Sequence, residues 1–110
     1  MPKYIVIYHA PMMPPDAQPT PEQMEAAMGE WNAWGERVGE GLVSFGSPLA
    51  GGTRVTSDGT SPSTLEVSGY SVVEADDMDA AVALMDGHPH LATPGNTAIE
   101  LHEVQPMPGM

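Results

Sequence analysis

The sequence predicts an α+β domain in which a strand-helix-strand unit occurs twice, and two stretches carry that prediction. Lys3-Tyr4-Ile5-Val6-Ile7-Tyr8-His9 is a short alternating run followed by a helical pattern from Pro21. Gly69 to Ala75 has a period of two, then passes into an acidic cap, a short amphipathic stretch and a stop at Gly87-His88-Pro89. With strand-like residues between these units, the order reads β-α-β-β-α-β. That is the ferredoxin-like arrangement, an antiparallel sheet with two helices on one face. The 110 residues fit one domain, 1–110, large enough to bury roughly two-thirds of the unfolded surface in a single core.

Each element has local reasons. In the first strand Tyr4, Val6 and Tyr8 face one way and Ile5, Ile7 and His9 the other. The stretch 10–20 is a Pro/Met loop, with four prolines that favour an extended, exposed path. Helix one opens on Thr20-Pro21-Glu22-Gln23: a capping threonine, a proline where its missing N–H is harmless, and a glutamine able to close a capping box. Met24, Ala27, Met28, Trp31, Trp34, Val38 and Leu42 then form an apolar stripe. Gly29, Gly35 and Gly39 interrupt it at about 1 kcal/mol each relative to alanine, so burial must hold the helix.

Leu42 to Leu49 and Thr53 to Ser57 read as a strand pair joined through Ala50-Gly51-Gly52, and Ser57 to Ser63 as an exposed loop. The next strand runs from Leu65 to Ala75, with Gly69 at a bulge or a close approach. Asp76 or Asp77 caps helix two, whose buried stripe is Met78, Ala81, Val82 and Met85. The last strand, Thr97 to Val104, sets Ile99 and Leu101 against Ala98, Glu100, His102 and Val104, and 105–110 is a tail.

Composition excludes several functions. Three Lys plus Arg against 15 Asp plus Glu give a net charge of -12, which repels phosphate backbones and anionic lipid headgroups, so neither nucleic acid nor membrane is an expected partner. The absence of cysteine removes disulfides, thiolate catalysis and thiolate metal sites. The apolar run after Lys3 is too short for a signal or a span, and a cytoplasmic location is the expectation.

The candidate site follows from strand register. Pairing Ile5 with Leu101 and Ile7 with Ile99 sends those aliphatics under the helices. It places Tyr4, Tyr8, Glu100 and His102 on the opposite face, joined by Tyr70, Val72 and Glu74. A face half aromatic and half ionisable calls for a cover, and a second copy of the chain would provide one. On it, His102 with Glu100 is the candidate proton-transfer pair, and Tyr4, Tyr8 and Tyr70 are the candidate ligand-binding groups.

Several stretches together resemble a YCII-related domain of the dimeric α+β barrel superfamily. They are Lys3 to Tyr8, Glu30-Trp31-Asn32-Ala33-Trp34, Phe45-Gly46-Ser47-Pro48-Leu49, Gly69 to Ala75, His88-Pro89-His90-Leu91 and Ile99-Glu100-Leu101. The resemblance covers nearly the whole chain and implies a ferredoxin-like protomer, a homodimer whose sheets face one another, and a cleft near that interface. A motif that marks one branch of the family is kept at Asp58, Gly59, Thr64 and Glu66 but lacks its lysine and phenylalanine.

Other clusters read more simply as structure. His9 with Met12 and Met13 lacks a third placed ligand. His88 and His90 flank Pro89 in what reads as a turn, and Trp31 and Trp34 read as core. No phosphate loop, nucleophile elbow or zinc motif is present, so neither a cofactor nor a metal is expected. Two functions remain open: a small cofactor-independent enzyme performing isomerase, lyase or oxygenase-type proton transfer on a small organic molecule, or a non-catalytic ligand-binding or accessory dimeric module.

Overall fold

A computed structural model describes residues 1–11, 20–92 and 97–106. The Pro/Met loop at 12–19 and the end of the tail at 107–110 lie outside the described residues. The elements run β1 (Lys3–His9), α1 (Pro21–Val38), a 3₁₀ turn (Gly39–Gly41), β2 (Leu42–Pro48), β3 (Thr53–Thr56), β4 (Gly59–Pro62), β5 (Val67–Glu74), α2 (Met78–Leu84), α3 (Pro89–Ala92) and β6 (Ala98–Glu103). Four strands form one antiparallel sheet in the order β2-β5-β1-β6. The architecture is α+β.

The helix starts follow their sequence signals. The Thr20 hydroxyl accepts the Gln23 amide at 3.1 Å, and the Gln23 side chain accepts the Thr20 amide at 2.9 Å, closing the capping box. Asp77 caps α2 by accepting the Ala80 amide at 2.8 Å. The buried side of α2 differs from the expected stripe. Ala81 and Met85 are buried, but Met78 and Val82 are exposed.

Two expectations about strands are corrected. β2 does not pair with β3; it pairs with β5, while β3 pairs with β4 in a separate two-stranded hairpin whose eight strand residues are all exposed. The stretch read as a loop from Ser57 supplies β4, because Ser57-Asp58 before Gly59 makes a two-residue turn.

The second correction is a one-residue slip in the pairing of β1 with β6. Val6 lies opposite Leu101 and Tyr8 opposite Ile99, while Ile5 lies opposite His102 and Ile7 opposite Glu100. Ile99 and Leu101 do pack toward the helices, as expected, but their β1 companions there are Tyr4, Val6 and Tyr8. Such a slip exchanges the faces of the whole strand. The physical reason is polar satisfaction: the helix side offers buried partners to the Tyr8 hydroxyl, and the aliphatic Ile5 and Ile7 need none.

The core therefore lies between one sheet face and the helices. Tyr4, Val6, Tyr8, Val73 and Ala75 meet Trp34, Ala81 and Met85 there. Trp34 is fixed by its indole N–H, which donates to the Leu84 carbonyl at 2.9 Å and ties α1 to the end of α2. Arg37 donates to the Asp86 carbonyl at 3.0 Å, in the turn that follows α2, beside Gly87 with its φ of +69°.

Candidate functional site

The residues expected to share one face are divided between two. Glu100 and His102 occupy the open face of β6, each with its side chain more than half exposed. The His102 Nε2 lies 2.9 Å from Glu100 Oε1, and His9 Nε2 lies 3.5 Å from Glu100 Oε2. His9 Nδ1–H donates to the Leu65 carbonyl at 2.8 Å. The hydrogen bond from His102, then the charge of His9, hold the Glu100 carboxyl below its ordinary pKa. Tyr70 is also on this face, beside a shallow apolar depression of about 260 Å³ that includes Ile5, Ile7, Leu49 and Val67. The polar pair is joined by a second histidine, not by the phenols of β1.

Tyr4 and Tyr8 lie beneath the helices, 1% and 3% exposed. Burial, followed by the nearby Glu103 carboxylate, raises the Tyr4 pKa, and its hydroxyl reaches Glu103 at only 3.5 Å. Tyr8 is bound far more closely. Its oxygen is 2.8 Å from Ser71 Oγ and 3.1 Å from His88 Nε2, and burial pushes its pKa up to about 12.

The proton positions along this buried chain are fixed from both ends. His88 Nδ1 accepts the His90 backbone N–H at 3.0 Å, so the neutral imidazole carries its proton on Nε2 and donates it to Tyr8. At the other end Ser71 donates to the Phe45 carbonyl at 2.7 Å, so its oxygen must accept the Tyr8 proton. The direction is His88 to Tyr8 to Ser71 to the Phe45 carbonyl. Burial, then the charges of His90 and Arg37, lower the His88 pKa to about 4, so the ring is neutral at pH 7. Its walls are aromatic: the Trp34 and Trp31 ring centroids are 4.2 and 4.7 Å away.

Above Tyr8 a cleft of about 500 Å³ opens between α1 and the β2-β5 edge of the sheet. Met24, Met28 and Trp31 of α1 form one wall, and Phe45 to Pro48 of β2 the other. Met24 and Met28 are more than half exposed, so the outer part of the α1 stripe overhangs the cleft and does not close on the sheet. The β2 wall depends on an irregularity between Ser44 and Ser47. Gly46 sits there with φ of +71°, and a Cβ would fall 1.9 Å from the Tyr70 carbonyl oxygen, so only glycine fits. At the inner end His90, 7% exposed, donates Nε2–H to the His9 carbonyl at 2.9 Å.

The sequence suggests only turn, strand or core positions for His88, His90, Ser71 and Trp31, and the structure gathers them at or beneath this cleft. A legible signal existed in His88-Pro89-His90 directly after a helix stop, since two of the four histidines fall together there. Among the described residues no group of three or more His, Asp or Glu is placed to hold a metal ion, and no helix is long and apolar enough to cross a membrane. No protein-family model matches the chain, and no curated protein matches it.

Proposed function

We propose that this protein binds a small organic molecule in the cleft between α1 and the sheet. One observation carries the reading: a cleft of about 500 Å³ lined mainly by aromatic and thioether side chains, with a few inward polar groups, has the size and composition of a small-molecule site. The buried chain beneath it supports binding over catalysis. Every proton in it is already donated to a protein acceptor, and the neutral His88 has no free nitrogen with which to take another.

In this reading the protomer is ferredoxin-like, as the YCII-related resemblance implies, and the β3-β4 hairpin is an insertion between β2 and β5. The half-buried Ile5, Ile7, Tyr70 and Val72 on the open face favour a homodimer with facing sheets. A second reading, proton-transfer catalysis at His102 and Glu100, draws support from the His9-Glu100-His102 row, where a depressed carboxylate lies between two imidazoles.

A metabolite screen by thermal shift, repeated with two variants, tests the proposal. Ala27→Trp fills the cleft from an exposed helix position and should abolish the stabilisation by any hit. His102→Ala should leave it unchanged. Loss of binding in His102→Ala with retention in Ala27→Trp would move the site to the open face.

A further inference from the structure

At the inner end of the cleft three polar groups have their protons turned inward, while Asn32, Ser47 and Tyr70 complete the polar lining. His90 has given Nε2–H to the His9 carbonyl, so in the tautomer this bond fixes, Nδ1 is the acceptor. Ser68 donates its hydroxyl proton to the Tyr8 carbonyl at 3.2 Å, and Tyr8 donates its own to Ser71. What these three groups can still offer is lone pairs. Among the described residues no Lys, Arg, Asp or Glu lines the cleft, so an ionised ligand group would be desolvated without a permanent counter-charge. An anion would also meet the field of a chain whose net charge is -12. The remaining walls, Trp31, Phe45 and the methionines, present ring faces and polarisable sulfur.

Resting on the ligand-binding reading above, we infer that the cleft selects an uncharged, flat aromatic molecule carrying an N–H or O–H donor, with His90 and Ser68 as the groups that accept it. The class includes phenols and indoles and excludes aromatic carboxylates.

Three probes built on one flat bicyclic frame separate this inference from the reading beneath it: indole, its isostere indene without the N–H, and indole-3-acetate, which adds an anionic side chain. Each is titrated into the ¹⁵N-labelled chain, following the amides of Gly46, Ser47, Ser68 and His90. Indole should bind about fivefold tighter than indene, the effect of one satisfied hydrogen bond. It should bind at least about tenfold tighter than indole-3-acetate, since the carboxylate finds no partner. His90→Phe should bring indole and indene to equal affinity while indene binding persists. Because that change also removes the bond to the His9 carbonyl, Ser68→Ala serves as the second variant and should narrow the same gap. Equal binding of indole and indene by the native chain, or binding of indole-3-acetate as tight as that of indole, would overturn the inference and leave the cleft as a site. Failure of all three probes to perturb those amides would overturn the cleft reading and the ligand class with it.

Discussion

Tyr8 holds its place through an oxygen bonded on two sides, and no apolar residue can substitute for that. Tyr8→Phe leaves the His88 Nε2–H without its acceptor and Ser71 Oγ without its donor, both in the dry interior. A loss of roughly 2 kcal/mol in urea unfolding is expected. Tyr4→Phe gives up only a 3.5 Å contact to Glu103 and should lose less than about 1 kcal/mol, so the order of the two variants checks the buried chain.

His88 makes a separate prediction with a definite sign. Its folded pKa of about 4 lies below the ordinary 6.5, so between those values the unfolded chain binds more protons. Its contribution is fully present above pH 6.5 and is lost as pH falls toward 4, on the order of 2 kcal/mol across that window. The His88 ring proton should titrate by NMR with a midpoint near 4, and His88→Gln should flatten the loss of stability between pH 7 and 5. A midpoint near 6.5 would contradict the burial and the proton order assigned to this ring.

At the scale of elements, α1 combines a well-specified start with a site of very close packing. Thr20→Ala removes the cap and should destabilise by about 1 kcal/mol. At Gly35 a Cβ would lie 2.3 Å from Phe45 Cζ, so Gly35→Ala forces that ring outward, despite alanine's better helix propensity. A net destabilisation of about 1–3 kcal/mol is expected, measured by thermal unfolding. Gly69 shows the same logic in a strand: a Cβ would approach the Ser47 carbonyl to 3.1 Å, the close approach its position suggested.

These elements also show which features were legible in the chain. Caps, helix stops and the period of two are local chemistry, so both main helices, the first strand and the outward placement of Glu100 and His102 could be read directly. The inward face of β1 could not be read from its alternation. Tyr4-Val6-Tyr8 and Ile5-Ile7 are both apolar, and the choice depends on Ser71 and His88, distant residues that accept and donate at the Tyr8 hydroxyl. The cleft was hidden for a related reason. A helical stripe from Met24 to Val38 does not reveal that only its later part, Trp34 and Gly35, is buried against the sheet.

For the whole molecule, the unclosed surfaces carry the expectations. The radius of gyration is 15.6 Å, against about 13 Å for a compact chain of this length, and the long dimensions are 45 and 43 Å against 20 Å. The β3-β4 hairpin is exposed at all eight strand positions, and a two-stranded unit of that size is marginal in water by itself. Light scattering should give about twice the chain mass of 11.6 kDa. Ile7→Glu, on the open face, should shift the protein to monomer while leaving ligand affinity in the cleft intact. A native chain that is strictly monomeric would contradict the dimer without touching the cleft.

The proposed ligand site is on the helix side of the sheet, and intermolecular NOEs to bound indole test that placement most directly. The predicted result is NOEs from the indole ring protons to the methyl groups of Met24 and Met28, which lie across the cleft from Phe45 and Ser47. NOEs instead to the methyl groups of Ile5 and Ile7, beside Glu100 and His102 on the open face, would contradict it.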